Sequence, residues 1–126
     1  MRISSSVVSL TVDDVPASSK FLATHFGFTE RMSADGFAAL SHDDAAMDIC
    51  FLRRGLEVLP VELRQQTASG TIIAFVVDDL SAEHERLQAG GAPITLPPRE
   101  EAWGERLFMV TDPNGIAYEL VEWATP

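Results

Sequence analysis

The sequence predicts an α+β fold built from two tandem βαβββ modules, and three observations predict it. The stretch "VVSLTVDDV", Val7 to Val15, returns 65 residues later as "IIAFVVDDL", Ile72 to Leu80. Each copy passes from a period-two apolar run into a segment with helical spacing that stops at glycine. Three short strand patterns separated by turn residues then follow each helix.

In the first copy Val8, Leu10 and Val12 alternate with Val7, Ser9 and Thr11, the pattern of a strand with one face in the core. Asp13 and Asp14 stand where a helix N-cap is needed, Pro16 suits a first turn, and "PASSKFLATHF" sets Phe21, Leu22 and Phe26 on one side before Gly27. "FTERM", "GFAAL" and "MDICFL" read as strands, divided by "ADG" and "HDDA". In the second copy Ile73, Phe75 and Val77 alternate, and Asp79 caps. "LSAEHERLQAGG" carries Leu80, His84 and Leu87 along one stripe and ends at Gly90 and Gly91. "APITL", "RLFMV" and "IAYELVEW" complete the unit, the last two joined by "DPNG".

A chain of 126 residues suffices for one domain, residues 1–126, with module one at about 1–60 and module two at about 70–126. One module alone would leave too much apolar surface in water, which is the physical reason for having two. No apolar run approaches the roughly 20 residues that span a bilayer, and the N-terminus does not read as a secretory signal. Cys50 is the single cysteine, so no internal disulfide forms; a cytoplasmic, soluble protein is expected. The formal charge of −10 repels phosphate backbones and anionic membranes, so neither nucleic acid nor membrane is expected as a partner.

The order V-x-D-(V/L) into a helix, "HFGF" at its end and "WGERLFMVTDPNGIAYELVEW" late in the chain resembles the vicinal oxygen chelate superfamily. That family includes glyoxalase I, extradiol dioxygenases, fosfomycin-resistance enzymes and bleomycin-binding proteins. The resemblance covers nearly the whole chain and implies sheets curled around a cleft, and a homodimer. Enzymatic members hold a divalent ion with His, Gln or Glu from the first and last strands of each module. Carried onto this chain, the first-strand positions are Val7 and Ile72, which have no lone pair to offer. Glu119 matches the family carboxylate of the last strand, and the corresponding place in "AAMDICFL" is read as Asp48.

No catalytic residue and no cofactor are therefore expected; a divalent metal on Asp48 and Glu119 is the alternative. His25 and His84 fall on helices and His42 in a turn, which suits surface histidines better than ligands. Cys50 has no cationic neighbour in sequence to activate it. Strand alternation turns Val7, Ser9, Thr11, Ile72, Ala74 and Val76 to the concave side, with Ala117, Glu119, Val121 and Trp123 from the last strand. Trp103 adds an aromatic wall, with core packing or a dimer contact the competing reading for it and for Trp123, and Arg106 either anchors an anion or pairs with Glu105 or Glu101.

The ligand-binding set is accordingly Val7, Ser9, Asp48, Ile72, Ala74, Trp103, Arg106 and Glu119. An apolar pocket with carboxylates and an aromatic wall suits an organic molecule bearing a positive or hydrogen-donating group. The resemblance points to the bleomycin-resistance-like branch, whose members sequester drugs without metal or chemistry. The rival readings are a metal-dependent lyase, isomerase or dioxygenase and a domain whose sheet receives a peptide or another subunit.

Overall fold

The computed structural model describes residues 1–124. Two compact units divide the chain, Met1–Ser69 and Gly70–Pro126. In the first, β1 (Val7–Val12), α1 (Val15–Phe26), β2 (Thr29–Ala34), β3 (Phe37–Ser41) and β4 (Asp48–Arg53) follow one another. Their sheet has the order β1-β4-β3-β2, with β1 and β4 parallel and the other neighbours antiparallel. The second unit repeats this with β5 (Ile72–Val76), α2 (Leu80–Ala89), β6 (Ile94–Glu100), β7 (Glu105–Thr111) and β8 (Ala117–Trp123), in the order β5-β8-β7-β6.

The helices start and stop where the sequence marks them. The Asp14 carboxylate accepts the Ala17 N–H at 3.1 Å, and Asp79 accepts that of Ala82 at the same distance. Each cap satisfies an amide that the helix itself leaves open, typically worth about 1 kcal/mol. Gly27 ends α1 at φ 71°, in the left-handed region where a side chain would be strained.

One face of each sheet is covered by its helix. Leu10, Val12, Leu40, Ile49 and Phe51 are buried in the first unit, as are Phe21 and Leu22 of α1. In the second unit Phe108, Val110, Tyr118 and Leu120 are buried, along with Leu80 and Leu87 of α2. Phe75 lies parallel to Tyr118 with ring centroids 6.5 Å apart. Strands β1 and β5 thus carry the expected alternation, with Leu10 and Ile73 buried and Val7 and Ile72 each 54% exposed.

Two features escaped the sequence patterns. β6 runs on through Pro97 and Pro98 to Glu100. It is an edge strand with register shifts on either side of Leu96, which is where proline can be accommodated. The stretch after β4 also folds back on its own unit: the Gly55 N–H donates to the Arg64 carbonyl at 2.7 Å and the Ala68 N–H to that of Thr11 at 2.8 Å. The Arg64 guanidinium closes this loop on the Leu59 carbonyl at 3.0 Å.

Candidate binding faces of the two sheets

The face of each sheet turned away from its helix carries the candidate site residues, and strand register arranges them in rows. In the first unit Val7 pairs with Asp48. The next row is Ser9, Cys50, Ala39 and Met32, and the next Thr11, Leu52, Phe37 and Ala34. In the second unit the rows are Ile72, Ala117 and Thr111; then Ala74, Glu119, Met109 and Leu96; then Val76, Val121, Leu107 and Arg99. Each edge strand opposite the helix crossover is bulged before its second row, between Glu30 and Met32 and between Ile94 and Leu96.

These rows correct the correspondence drawn between the last strands. Val7 and Ile72 are equivalent, and they pair with Asp48 and Ala117. Glu119 pairs with Ala74, whose equivalent Ser9 pairs with Cys50. Cys50, not Asp48, therefore occupies the place of Glu119. The "SHDDAAM" turn is longer than "TDPNG", and sequence spacing alone could not absorb the difference. Asp48 still faces the open side, one row along, beside Val7.

Glu119 sits between Ala74 and Met109, with Ala117 and Val121 before and after it on its strand. Partial burial among these apolar neighbours pushes its carboxyl above the ordinary range; the Glu105 carboxylate adds to this and Arg99 opposes it. The Cys50 thiol is also raised, by desolvation first and then by Asp48, so it is held in its unreactive form.

Arg106 departs from the expectation of a ligand anchor. It stands opposite Glu122, on the helix side, and its guanidinium donates to Glu122 Oε2 at 2.8 Å. Glu122 Oε1 in turn accepts the Leu80 N–H at 3.0 Å, so the pair fastens the start of α2 to β8. Neither Glu105 nor Glu101 is its partner, because alternation puts Glu105 on the other face. Val121, expected on the open side, is only 2% exposed and lies beside Leu107 at 3%. Trp103, in the turn between β6 and β7, and Trp123, at the end of β8, are 67% and 52% exposed.

The histidines are occupied elsewhere. His25 packs on Phe21 with centroids 4.7 Å apart, His84 meets Phe108 edge-on at 5.1 Å, and His42 Nδ1 accepts the Asp44 N–H. Among the described residues no three His, Cys, Asp or Glu side chains are grouped so as to hold a metal ion. Of the equivalent positions, Val7 and Cys50 in the first unit and Ile72 and Glu119 in the second, each unit supplies a single side chain with a donor. Neither pair by itself fits a side-chain-held divalent ion.

A groove of about 600 Å³ that sequence reasoning missed lies in the first unit, between the start of α1 and the β2–β3 turn. Its carboxylates are already engaged. Asp14 caps α1, Glu30 accepts the Ser19 hydroxyl at 2.8 Å, Asp13 pairs with Arg54 and Asp35 with Arg53.

Fold and open faces together define the class. The family model described as the Glyoxalase/Bleomycin resistance protein/Dioxygenase superfamily matches residues 5–120, and the chain belongs to that superfamily. Among solved structures, one from the mobile metagenome of V. Pseudocholerae is 27% identical, with 99% of this chain and 98% of that one covered and a TM-score of 0.74. A glyoxalase/bleomycin resistance protein/dioxygenase from Nocardioides is 21% identical over 98% of this chain and 85% of its own, with a TM-score of 0.79. TioX from Micromonospora sp. ML1 is 24% identical over 97% and 100%, with a TM-score of 0.72. No curated protein matches the sequence. No helix among the described residues is long and apolar enough to cross a membrane.

Proposed function

We propose that this protein binds a hydrophobic or cationic small molecule, such as an antibiotic, against the open faces of its sheets, without a metal and without chemistry, as a cytoplasmic homodimer. The observation that carries the reading is the pair Val7 and Ile72. Each is more than half exposed at a first-strand position on the open face, where a metalloenzyme of this superfamily would present a donor. Exposed aliphatic side chains at those places favour contact with an apolar ligand and contribute nothing to an ion. Ser9 and Asp48 would line the face of the first sheet and Ala74 and Glu119 that of the second, each carboxylate available to a positive or hydrogen-donating group.

The other reading, a lyase, isomerase or dioxygenase using Glu119 and Asp48, draws on their sharing the open side of their sheets. If a metal were bound, it would supply Lewis acidity. Metal analysis of protein purified without chelator, paired with native mass spectrometry, separates the two. The binding reading expects no stoichiometric metal and an added mass from an organic ligand. Stoichiometric nickel, zinc, iron or manganese sinks it.

A further inference from the structure

Asn114 is the single asparagine of the chain, and glycine follows it. It lies half-buried in the turn between β7 and β8, with Gly115 exposed at φ 85°. A Cβ added at Gly115 would meet no atom within 4 Å, so the glycine serves the left-handed backbone and not a close approach.

An Asn–Gly pair has a chemistry of its own. The glycine amide nitrogen attacks the asparagine Cγ; a C–N bond forms, the Cγ–Nδ2 bond breaks, and ammonia leaves with the amide proton. Water then opens the cyclic imide at either carbonyl, giving aspartate or isoaspartate. Glycine allows this best because no side chain hinders the attacking nitrogen.

The turn works against that attack. The Gly115 N–H donates to the Asp112 carbonyl at 3.0 Å, so the proton that must be lost is engaged. Asp112 is buried, and its Oδ1 accepts the Asn114 and Ile116 N–H groups, each at 2.9 Å. One carboxylate thus fixes the backbone on both sides of the Asn114–Gly115 bond. The same cyclisation is open in principle to Asp35 and Gly36, but Arg53 bonds to the Asp35 carboxylate at 2.8 Å and holds it charged, a poor electrophile.

We propose that Asn114 is a latent deamidation site, closed by the turn that Asp112 holds and reactive when that turn opens. The product bears on the second sheet because this turn sets the β7–β8 ladder, in which Thr111 pairs with Ala117 and Met109 with Glu119. Isoaspartate adds a methylene to the main chain between Asp112 and Ile116 and spoils that fit. Aspartate adds only a charge near Asp112.

The whole protein is incubated in mildly alkaline buffer, ammonia release is followed, and isoaspartate is located by digestion and mass spectrometry. Conversion at Asn114 is expected roughly 10-fold slower in the folded protein than in the same chain unfolded by urea, the protection given by a turn held by a few ordinary hydrogen bonds. Asp112→Ala, checked for folding by circular dichroism, moves the rate toward that of the unfolded chain. Asn114→Gln, whose longer side chain would have to close a larger ring, abolishes conversion. If Asp112→Ala does not fold, graded urea below the unfolding transition replaces it: hydrogen exchange at the Gly115 amide and deamidation of the unaltered protein must then speed up together. The purified isoaspartate form is expected to unfold at lower urea than Asn114→Asp, which has the charge without the methylene. Equal rates in folded and unfolded protein, a folded Asp112→Ala with an unchanged rate, exchange and deamidation that do not run in parallel, or isoaspartate at Asp35 ahead of Asn114 overturns the inference. No ligand enters these measurements, so their outcome is independent of the binding reading.

Discussion

The second rows of the two open faces make the most informative comparison in the molecule. Ser9, Cys50, Ala39 and Met32 occupy one; Ala74, Glu119, Met109 and Leu96 occupy the other. Strand pairing is the same in both, and each edge strand is bulged just before this row, yet one row holds a thiol and the other a carboxyl. The helix sides differ in the opposite sense. Glu122 ties the start of α2 to Arg106, whereas the equivalent last-strand position in the first unit is Arg53, which turns to the exposed Asp35. A duplicated fold preserves the strand phase because half of every strand must be buried. It leaves positions such as Cys50 and Glu119 in the open rows freer to diverge, since they are not part of the buried core.

The largest expected effect tests whether the cores are equivalent. Phe51 and Phe108 are both fully buried, one in each unit. Replacing either by Ala should cost about 3–5 kcal/mol in urea denaturation, from lost transfer energy plus the cavity left behind. A loss confined to one of them would break the symmetry of the two modules.

Next comes the helix-side contrast. Glu122→Gln loses the charge-assisted bond to Arg106 and weakens the one to the Leu80 amide, which should cost about 1–3 kcal/mol. Arg53→Gln, which removes an exposed ion pair, should leave the denaturation midpoint where it is. The reverse order would show that the first unit depends on its surface pair after all.

Glu119 sharpens the open-face contrast. Its folded-state pKa is raised by burial, so the stability linked to its protonated form is fully present below the unfolded value. That stability is lost as pH rises through the folded value. Glu119→Gln should therefore be more stable than the parent at neutral pH, with the gap closing as pH falls through the carboxylate range. Parallel stability curves across that range would refute the apolar setting assigned to it. The smallest effect concerns Cys50: alkylation by iodoacetamide near pH 8 should run slower than for a free thiol, and Asp48→Asn should speed it modestly.

Much of this was written in local sequence. Asp14 and Asp79 announced the helix starts, Gly27 a helix stop, and the alternation through Leu10 and Ile73 the buried phase of both first strands. These are decisions between neighbours, made by capping geometry and by the two-residue period of a strand, and they need no distant partner. The exposure of Val7 and Ile72 followed from the same period. What the tertiary structure alone decided were the matters of pairing between strands far apart in the chain. Register across the parallel β1–β4 and β5–β8 pairs set Cys50 rather than Asp48 in the place of Glu119. Partnership across β7 and β8 took Arg106 to Glu122, and Val121 with its neighbour Leu107 is buried although strand alternation puts both on the open side. A residue's face can be counted along its own strand, but its neighbours on that face depend on the lengths of the turns between strands and on the hydrogen-bond ladder that joins them.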